Sequence, residues 1–465
     1  MRNKYFFIAA FLIFQFSFAQ FTLTPFNQTD NLHQGFYFGA QMNVSGNRIA
    51  ALVQPSQMLP GFTGKLYQFD TNTLQQTDAL LPAGITPTDG FGSAVSQTMH
   101  FTVVGAAYDD HLIEDAGAVY VYNNISGNWS QTITAPDAAV AGHFGTYIET
   151  YGTRMFISAV DADNNGAVYC YHYNGSQWEF LQKLTVPNMK DFGNKVRFQS
   201  EQLIISSTTS ESKKSFNLFV MNSDNSSWIL ESSSPGFGNL EDNVSDFCFV
   251  NGRIYMLSEG LNLRSQVQKV DYFGQGQWSV EPALEVTEGN DHFFTRIEVT
   301  GDKMFLGSNG YALSMARKYP VLYYRNIMGT WTYQSSIYGT GPEGVDDHFG
   351  SSMFTDGSNM IIGSANEGTI LPYGKAYKFS LTLGTDDFQK DAVSLYPNPS
   401  SDMVHIQNQS GNKIVKSEIY SVTGKLLSTA ENVEQLSIGH LANGIYFAKL
   451  YVANGSNQTY KIIKN

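Results

Sequence analysis

An all-β fold, a seven-bladed β-propeller followed by a small C-terminal β-sandwich, is predicted by three observations. The first is composition: 14% of the 465 residues are aromatic and only 15% charged, against roughly 25% charged in an ordinary globular chain. With 42 Gly, 33 Phe and 26 Tyr, that balance suits short strands and tight turns and excludes disordered or coiled-coil classes. The second is a sequence pattern that returns seven times. The third is the strand-like alternation of apolar and polar residues inside each copy.

The pattern starts at Phe38-Gly39, Phe91-Gly92, Phe144-Gly145, Phe192-Gly193, Val244-Ser245, Phe293-Phe294 and Phe349-Gly350. Four residues after each start stand Met42, Val95, Ile148, Val196, Cys248, Ile297 and Met353; twelve after stand Ala50, Val103, Phe156, Ile204, Met256, Phe305 and Ile361. All are apolar. A period near 50 residues with four strands per copy is the signature of a propeller.

Copy two shows the strands in order. Gly92–Gln97 and Phe101–Gly105 form the first hairpin, Gly117–Tyr122 alternates as a third strand, and Trp129–Thr134 makes the fourth. Turn residues mark the first hairpin elsewhere, as at Ser45-Gly46-Asn47 and Asn251-Gly252. All five Trp (129, 178, 228, 278 and 331) fall 34 to 38 residues after their copy's start, a register that assigns them to packing. The seventh copy ends after its third strand, Gly374–Phe379. Thr22-Leu23-Thr24-Pro25 matches the fourth-strand segment Thr132–Pro136, so the N-terminal segment is expected to close the ring and remove its open edge.

The run Phe-Gly-Ser-Ala-Val, Val-Val-Gly-Ala and Gly-Ala-Val-Tyr-Val-Tyr in copy two resembles the FG-GAP repeats of integrin-α-type propellers. Copies three and seven resemble it well, whereas copies four to six are degenerate. The resemblance implies a propeller over residues 20–383 and extracellular binding. The turns Val44–Arg48 and Tyr151–Arg154 are too short for the calcium loop that some members of that family carry.

Residues 1–19 read as a signal peptide: Arg2 and Lys4, an apolar run from Tyr5 to Phe16, and Ser17-Phe18-Ala19 as a small-x-small cleavage site. That run is shorter than the roughly 20 residues a spanning helix needs, and no transmembrane segment is expected. After a linker at 384–391, residues 392–465 hold six predicted short strands: Val393–Tyr396, Met403–Ile406, Lys416–Val422, Gln435–Ile438, Ile445–Leu450 and Tyr460–Ile463. Tyr396-Pro397-Asn398-Pro399, the segment ending in Gly424-Lys425, Gly444-Ile445-Tyr446 and the terminal Lys461–Lys464 together resemble the C-terminal sorting domain of the type IX secretion system. That resemblance implies the secretion machinery as a partner, and passage through the periplasm to the surface or surroundings of a Gram-negative bacterium.

Residues 20–389 hold 19 basic and 36 acidic residues (−17), and residues 390–465 hold 7 and 5 (+2). An acidic body disfavours nucleic acid and anionic membranes as partners. Cys170 and Cys248 fall in non-neighbouring copies and are expected to be buried free thiols. Asp161, Asp163 and Asn165 match the opening of a calcium loop, although the twelfth position is His172 and not Glu; calcium and a plain Asp/Asn turn are both open readings. Asp89, His143, Asp191, Asp291, His292, Asp346, Asp347 and His348 all lie within three residues upstream of a copy's start. They could converge near the channel mouth as ligand-binding groups, or serve the turns between blades. No catalytic motif and no cofactor motif appears. The expectation is a secreted or surface-displayed binding propeller for a glycan or protein; the alternative is an extracellular hydrolase or lyase with an acidic site at the channel mouth.

Overall fold

The computed structural model describes residues 23–27, 37–53, 63–237, 244–259, 264–288, 294–308, 320–340, 348–365, 374–381, 393–408, 414–421, 425–431, 434–452 and 457–465. The expected signal peptide and the 384–391 linker lie outside these. Two units divide the chain, Met1–Thr382 and Leu383–Asn465. Among the described residues of the first unit are seven antiparallel sheets, built in chain order from the first strand outward, save that the fourth and fifth carry an extra two-residue strand (Met189–Lys190 and Leu284–Glu285) and the seventh takes its last strand from the N-terminal segment. In the second sheet these strands are Phe91–Gln97, Phe101–Ala106, Ala118–Asn123 and Asn128–Ile133. The first strands adjoin one another in sequence, and Phe349–Thr355 of the seventh sheet returns to Gln41–Ser45 of the first. The result is a propeller-like ring.

Closure comes from the N-terminal segment. Thr24–Phe26 supplies the fourth strand of the seventh sheet, with Thr24 opposite Lys378, Pro25 opposite Tyr377 and Phe26 opposite Ala376. The buried Phe26 ring packs edge-on against Phe69, 5.0 Å away, and Phe38, 6.4 Å away. Strand pairing to the seventh sheet and side-chain packing on the first thus sit in one short segment.

The Phe-Gly motif works between sheets. Gly145 opens the third sheet at φ +98°, and its carbonyl lies where a Cβ on Gly105 of the second sheet would stand, 2.1 Å away. The same contact joins seventh to first: a Cβ on Gly363 would meet the Gly39 carbonyl at 1.9 Å, and one on Gly374 would meet the Phe38 carbonyl at 1.9 Å. Backbone therefore packs on backbone, which only glycine permits. The Trp register is also an inter-sheet device. Trp178 of the third sheet packs on Phe101 of the second (5.6 Å), and its backbone N–H and carbonyl are clamped by the Gln131 amide at 2.9 and 2.8 Å. Trp228 repeats the arrangement with Phe156 (5.3 Å) and Gln182.

The structure corrects one register. In the fifth sheet Cys248 pairs with Tyr255 and Phe247 with Met256, as Glu149 pairs with Phe156 and Ile148 with Ile157 in the third. The fifth copy therefore begins one residue before Val244. It lacks the Phe-Gly pair that anchors the count elsewhere, and Phe247, not Cys248, fills the apolar slot. Both cysteines are free and buried. The second unit holds a three-stranded sheet (Val393–Tyr396, Met403–Asn408, Gln435–Ser437) and a four-stranded one (Leu426–Glu431, Ile414–Ser421, Gly444–Val452, Asn457–Lys464). Val404, Ile419, Leu436, Ile438, Leu450 and Ile462 form its core. The strand Leu426–Glu431 is largely exposed and carries no apolar alternation, so its sequence does not announce it.

Candidate functional site

The residues just upstream of each copy's start share a backbone conformation. Tyr37, Gly90, His143, Asp191 and His348 have φ of +49°, +66°, +51°, +51° and +50°. The carbonyls of Tyr37, Gly90, Asp191 and His348 each accept a hydrogen bond from the N–H three residues on, at 3.0 to 3.1 Å. Apart from glycine, the left-handed region is favoured by Asn, Asp and His, so this turn accounts for why His and Asp recur there. Individual side chains diverge. His143 Nδ1 lies 2.6 Å from Asp161 Oδ2, with the ring 4.8 Å from that of Tyr108. Asp89 is buried and accepts hydrogen bonds from the Thr86 N–H (2.8 Å) and hydroxyl (2.6 Å). Asp191 is exposed and faces the charge of Lys214. Asp291, His292, Asp346 and Asp347 lie outside the described residues.

The calcium-like segment folds as a short turn around Ala162–Asn164. Asp161 goes to His143, Asp163 goes to Lys183 at 2.6 Å, and the Asn165 amide goes to the Asp163 carbonyl at 3.3 Å. Lys183 also holds Asp137 at 2.7 Å. Among the described residues, one metal-compatible group brings together Asp89, Asp109 and His111, with ligand atoms within 4.8 Å of one another. Protein donors already occupy it: Asp109 accepts from the Tyr120 hydroxyl at 2.6 Å and from the His111 N–H at 2.9 Å.

A cavity of about 330 Å³ lies at the axis of the ring, and the first strands of all seven sheets line it. Its polarity is lopsided. The third to sixth sheets contribute Glu149, Lys195, Arg197, Lys214, Asp246, Arg296 and Glu298, while the seventh, first and second contribute Ser352, Phe354, Gln41, Asn43, Ser93 and Ala94. Within the charged half, Lys195 pairs with the buried Asp246, which also accepts the Ile297 N–H at 3.0 Å. Arg197 meets the Tyr147 hydroxyl and lies 3.4 Å from Glu149. Arg296 donates to the Ser351 carbonyl through Nε at 3.1 Å and to its neighbour Thr295's carbonyl through Nη1 at 2.9 Å.

Burial dominates the titration of this group. It pushes Glu149 up to about 8 against the pull of Lys195, and Glu298 up to about 7 against Arg197 and Lys195. Burial acts on Asp246 in the same sense, yet Lys195, Arg296 and Arg197 together hold it below the usual carboxylate range. Lys214 is lowered by burial, with Asp191 and Asp246 opposing. Near pH 7 Glu149 is largely protonated, so four cations outweigh the ionised carboxylates inside a body whose overall charge is strongly negative.

None of these cavity charges was among the residues singled out from sequence. The available signal was charge at the third and fifth positions after a copy's start (Lys195, Arg197, Arg296, Glu149, Glu298), where copies one and two carry Gln41, Asn43, Ala94 and Ser96.

In the C-terminal unit, Asn398 ties the Tyr396–Pro399 segment to the last strand. Its side-chain amide donates to the Lys461 carbonyl (2.7 Å) and its oxygen accepts the Ile463 N–H (2.8 Å). The Pro397 and Pro399 peptide bonds are both cis. Tyr446, two residues beyond Gly444, donates to the Ala442 carbonyl at 2.8 Å, and the Lys425 N–H reaches the Ser421 hydroxyl at 3.2 Å; Gly424 lies outside the described residues. Residues 394–465 match the family described as the secretion system C-terminal sorting domain. The tail is a type IX sorting domain. Residues 74–122 match the FG-GAP repeat family.

The sorting domain marks the chain for export to the cell surface or extracellular space by the type IX machinery, in accord with the signal peptide read at residues 1–19. No helix among the described residues is long and apolar enough to cross a membrane. Inside the sorting domain, Lys416 (2.7 Å) and the hydroxyls of Tyr420 and Tyr451 (2.6 Å each) surround Glu418 and draw its carboxyl down to about 2. No curated protein matches the chain. Solved structures that resemble it include a putative 6-phosphogluconolactonase from Bacteroides uniformis ATCC 8492, at 11% identity and TM-score 0.46, over 84% of this chain and 97% of that one. Another is Saccharomyces cerevisiae Sqt1, at 10% identity and TM-score 0.44, over 95% and 100%. At that distance neither likeness bears on function.

Proposed function

We propose that the propeller is an exported binding module that holds a glycan or protein ligand at its axis. The observation that supports this is the central cavity, where seven strands from seven sheets converge on one concave, mixed polar and charged surface. The ring holds these strands rigidly through backbone contacts, so the surface is preorganised and little ordering is needed on binding. A screen of the mature chain against glycans and extracellular matrix proteins tests the reading; a specific hit is expected to weaken on substitution of a cavity residue, and an empty screen refutes it. Export is tested separately. Removing residues 384–465 is expected to abolish release and surface display, leaving the propeller in the periplasm.

A further inference from the structure

Two cations at the axis make no contact ion pair among the described residues. Arg296 spends Nε and Nη1 on backbone carbonyls and makes no hydrogen bond or ion pair to a carboxylate. Lys214 lines the same cavity, and its ammonium makes no hydrogen bond or ion pair among the described residues. Asp246 acts on both charges, and Asp191 on Lys214, only without direct contact; a largely desolvated cation lacking a contact ion pair is costly, and an anion that enters the cavity offsets that cost. The guanidinium, fixed through two of its nitrogens, presents its remaining N–H groups in the planar fork that suits a carboxylate.

On the uncharged side, the amides of Gln41 and Asn43 also line the cavity without a side-chain hydrogen bond to any described residue, and Asn43 is only 6% exposed. Such amides both donate and accept, as hydroxyl groups require. Phe354, partly buried against the apolar cluster of the first sheet, also lines the cavity and offers an apolar surface for the face of a ring. A cavity of about 330 Å³ is at the small end of ligand sites and suits roughly one or two sugar rings, not a folded partner.

We infer that the axial cavity takes a carboxylated sugar, with the carboxylate between Arg296 and Lys214 and the hydroxyls on Gln41 and Asn43. This rests on the reading of the propeller as a binding module and names its ligand class. The protonation of Glu149 near neutral pH supports it, since it keeps the net charge of the cavity positive. The acid could arrive as a free uronate or as a residue of an acidic polysaccharide; the recognising chemistry is the same.

Calorimetric titration of the mature full-length chain with D-galacturonate, D-galactose and polygalacturonate tests the inference. D-galacturonate is expected to bind at least tenfold more tightly than D-galactose. Arg296→Gln and Lys214→Gln are each expected to weaken the acid about tenfold or more, in line with hydrogen bonds to charged groups, and to weaken the neutral sugar much less. Gln41→Ala, at a residue that takes part in no ion pair, is expected to weaken both sugars and keeps the test open should a charge variant misfold. Tighter binding of the polymer assigns the polysaccharide as source, and binding of the monomer alone assigns the free acid. Equal affinity for acid and neutral sugar, or no effect of Arg296→Gln in a folded protein, overturns the inference. Binding of a neutral glycan or a protein without any uronate overturns it while the binding reading stands; no binding of any kind overturns both.

Discussion

The clasp at Thr24–Phe26 makes a quantitative demand. Phe26 is 6% exposed and lies in one apolar cluster with Phe38, Met42 and Phe69 of the first sheet and Ile361 and Ala376 of the seventh. Phe26→Ala leaves a cavity between two sheets, and comparable core truncations cost about 3–5 kcal/mol. Deleting residues 20–26 removes the ring and also the ladder to Lys378, Tyr377 and Ala376. Each net hydrogen bond is worth about 1 kcal/mol, so the deletion is expected to cost more than the substitution. Thr24→Ala, at an exposed position, serves as the control and is expected to stay within about 0.5 kcal/mol. Urea unfolding followed by the five tryptophans, which all lie in the propeller, gives the midpoints. If Phe26→Ala and the deletion both unfold at the wild-type midpoint, the segment does not hold the ring closed.

Three further outcomes follow from the geometry. Gly363→Ala is expected to destabilise by about 3 kcal/mol or more in the same assay, because its Cβ would sit 1.9 Å from the Gly39 carbonyl. At the left-handed turn, His143→Gly is expected to be near neutral and His143→Val to cost about 1–2 kcal/mol; equal effects would show that the ring contacts, not the backbone, decide this position. Glu149 and Glu298 have folded pKa values, about 8 and about 7, above those of unfolded Glu. The native state therefore binds more protons than the unfolded one between about pH 4.5 and 8, and stability falls as pH rises through that window. At about 1.4 kcal/mol per unit the loss reaches about 5 kcal/mol for Glu149 and about 3 for Glu298 at most; Glu149→Gln is expected to flatten the profile measured by urea midpoints from pH 5 to 9.

The parts legible from sequence are those the repeat constrains identically in every copy. Gly105, Gly145, Gly363 and Gly39 are fixed by a backbone contact that admits no side chain, and Trp178 and Trp228 by the same wedge against the preceding sheet. The fifth copy, where that constraint is absent, sits one residue away from the start its sequence suggests. Turn positions such as His143 and Asp191 repeat for a conformational reason, which imitates the regularity of a site. The axial charges do the reverse. Lys214 and Arg296 break the pattern of the repeat, and no period reveals that they share one cavity. Ring geometry alone brings residues about 80 positions apart onto a common axis.

The strand that locks the ring precedes its partner by about 350 residues. Closing so long a loop carries an entropic cost before any contact rewards it. Until Lys375–Ser380 exists, the seventh sheet has no edge for Thr24–Phe26 to join. The propeller therefore has a built-in delay: a chain cut short of that strand lacks the partner that closes its ring. Only a chain that extends through Lys375–Ser380 can shut, so the same three residues register that the seventh sheet is present.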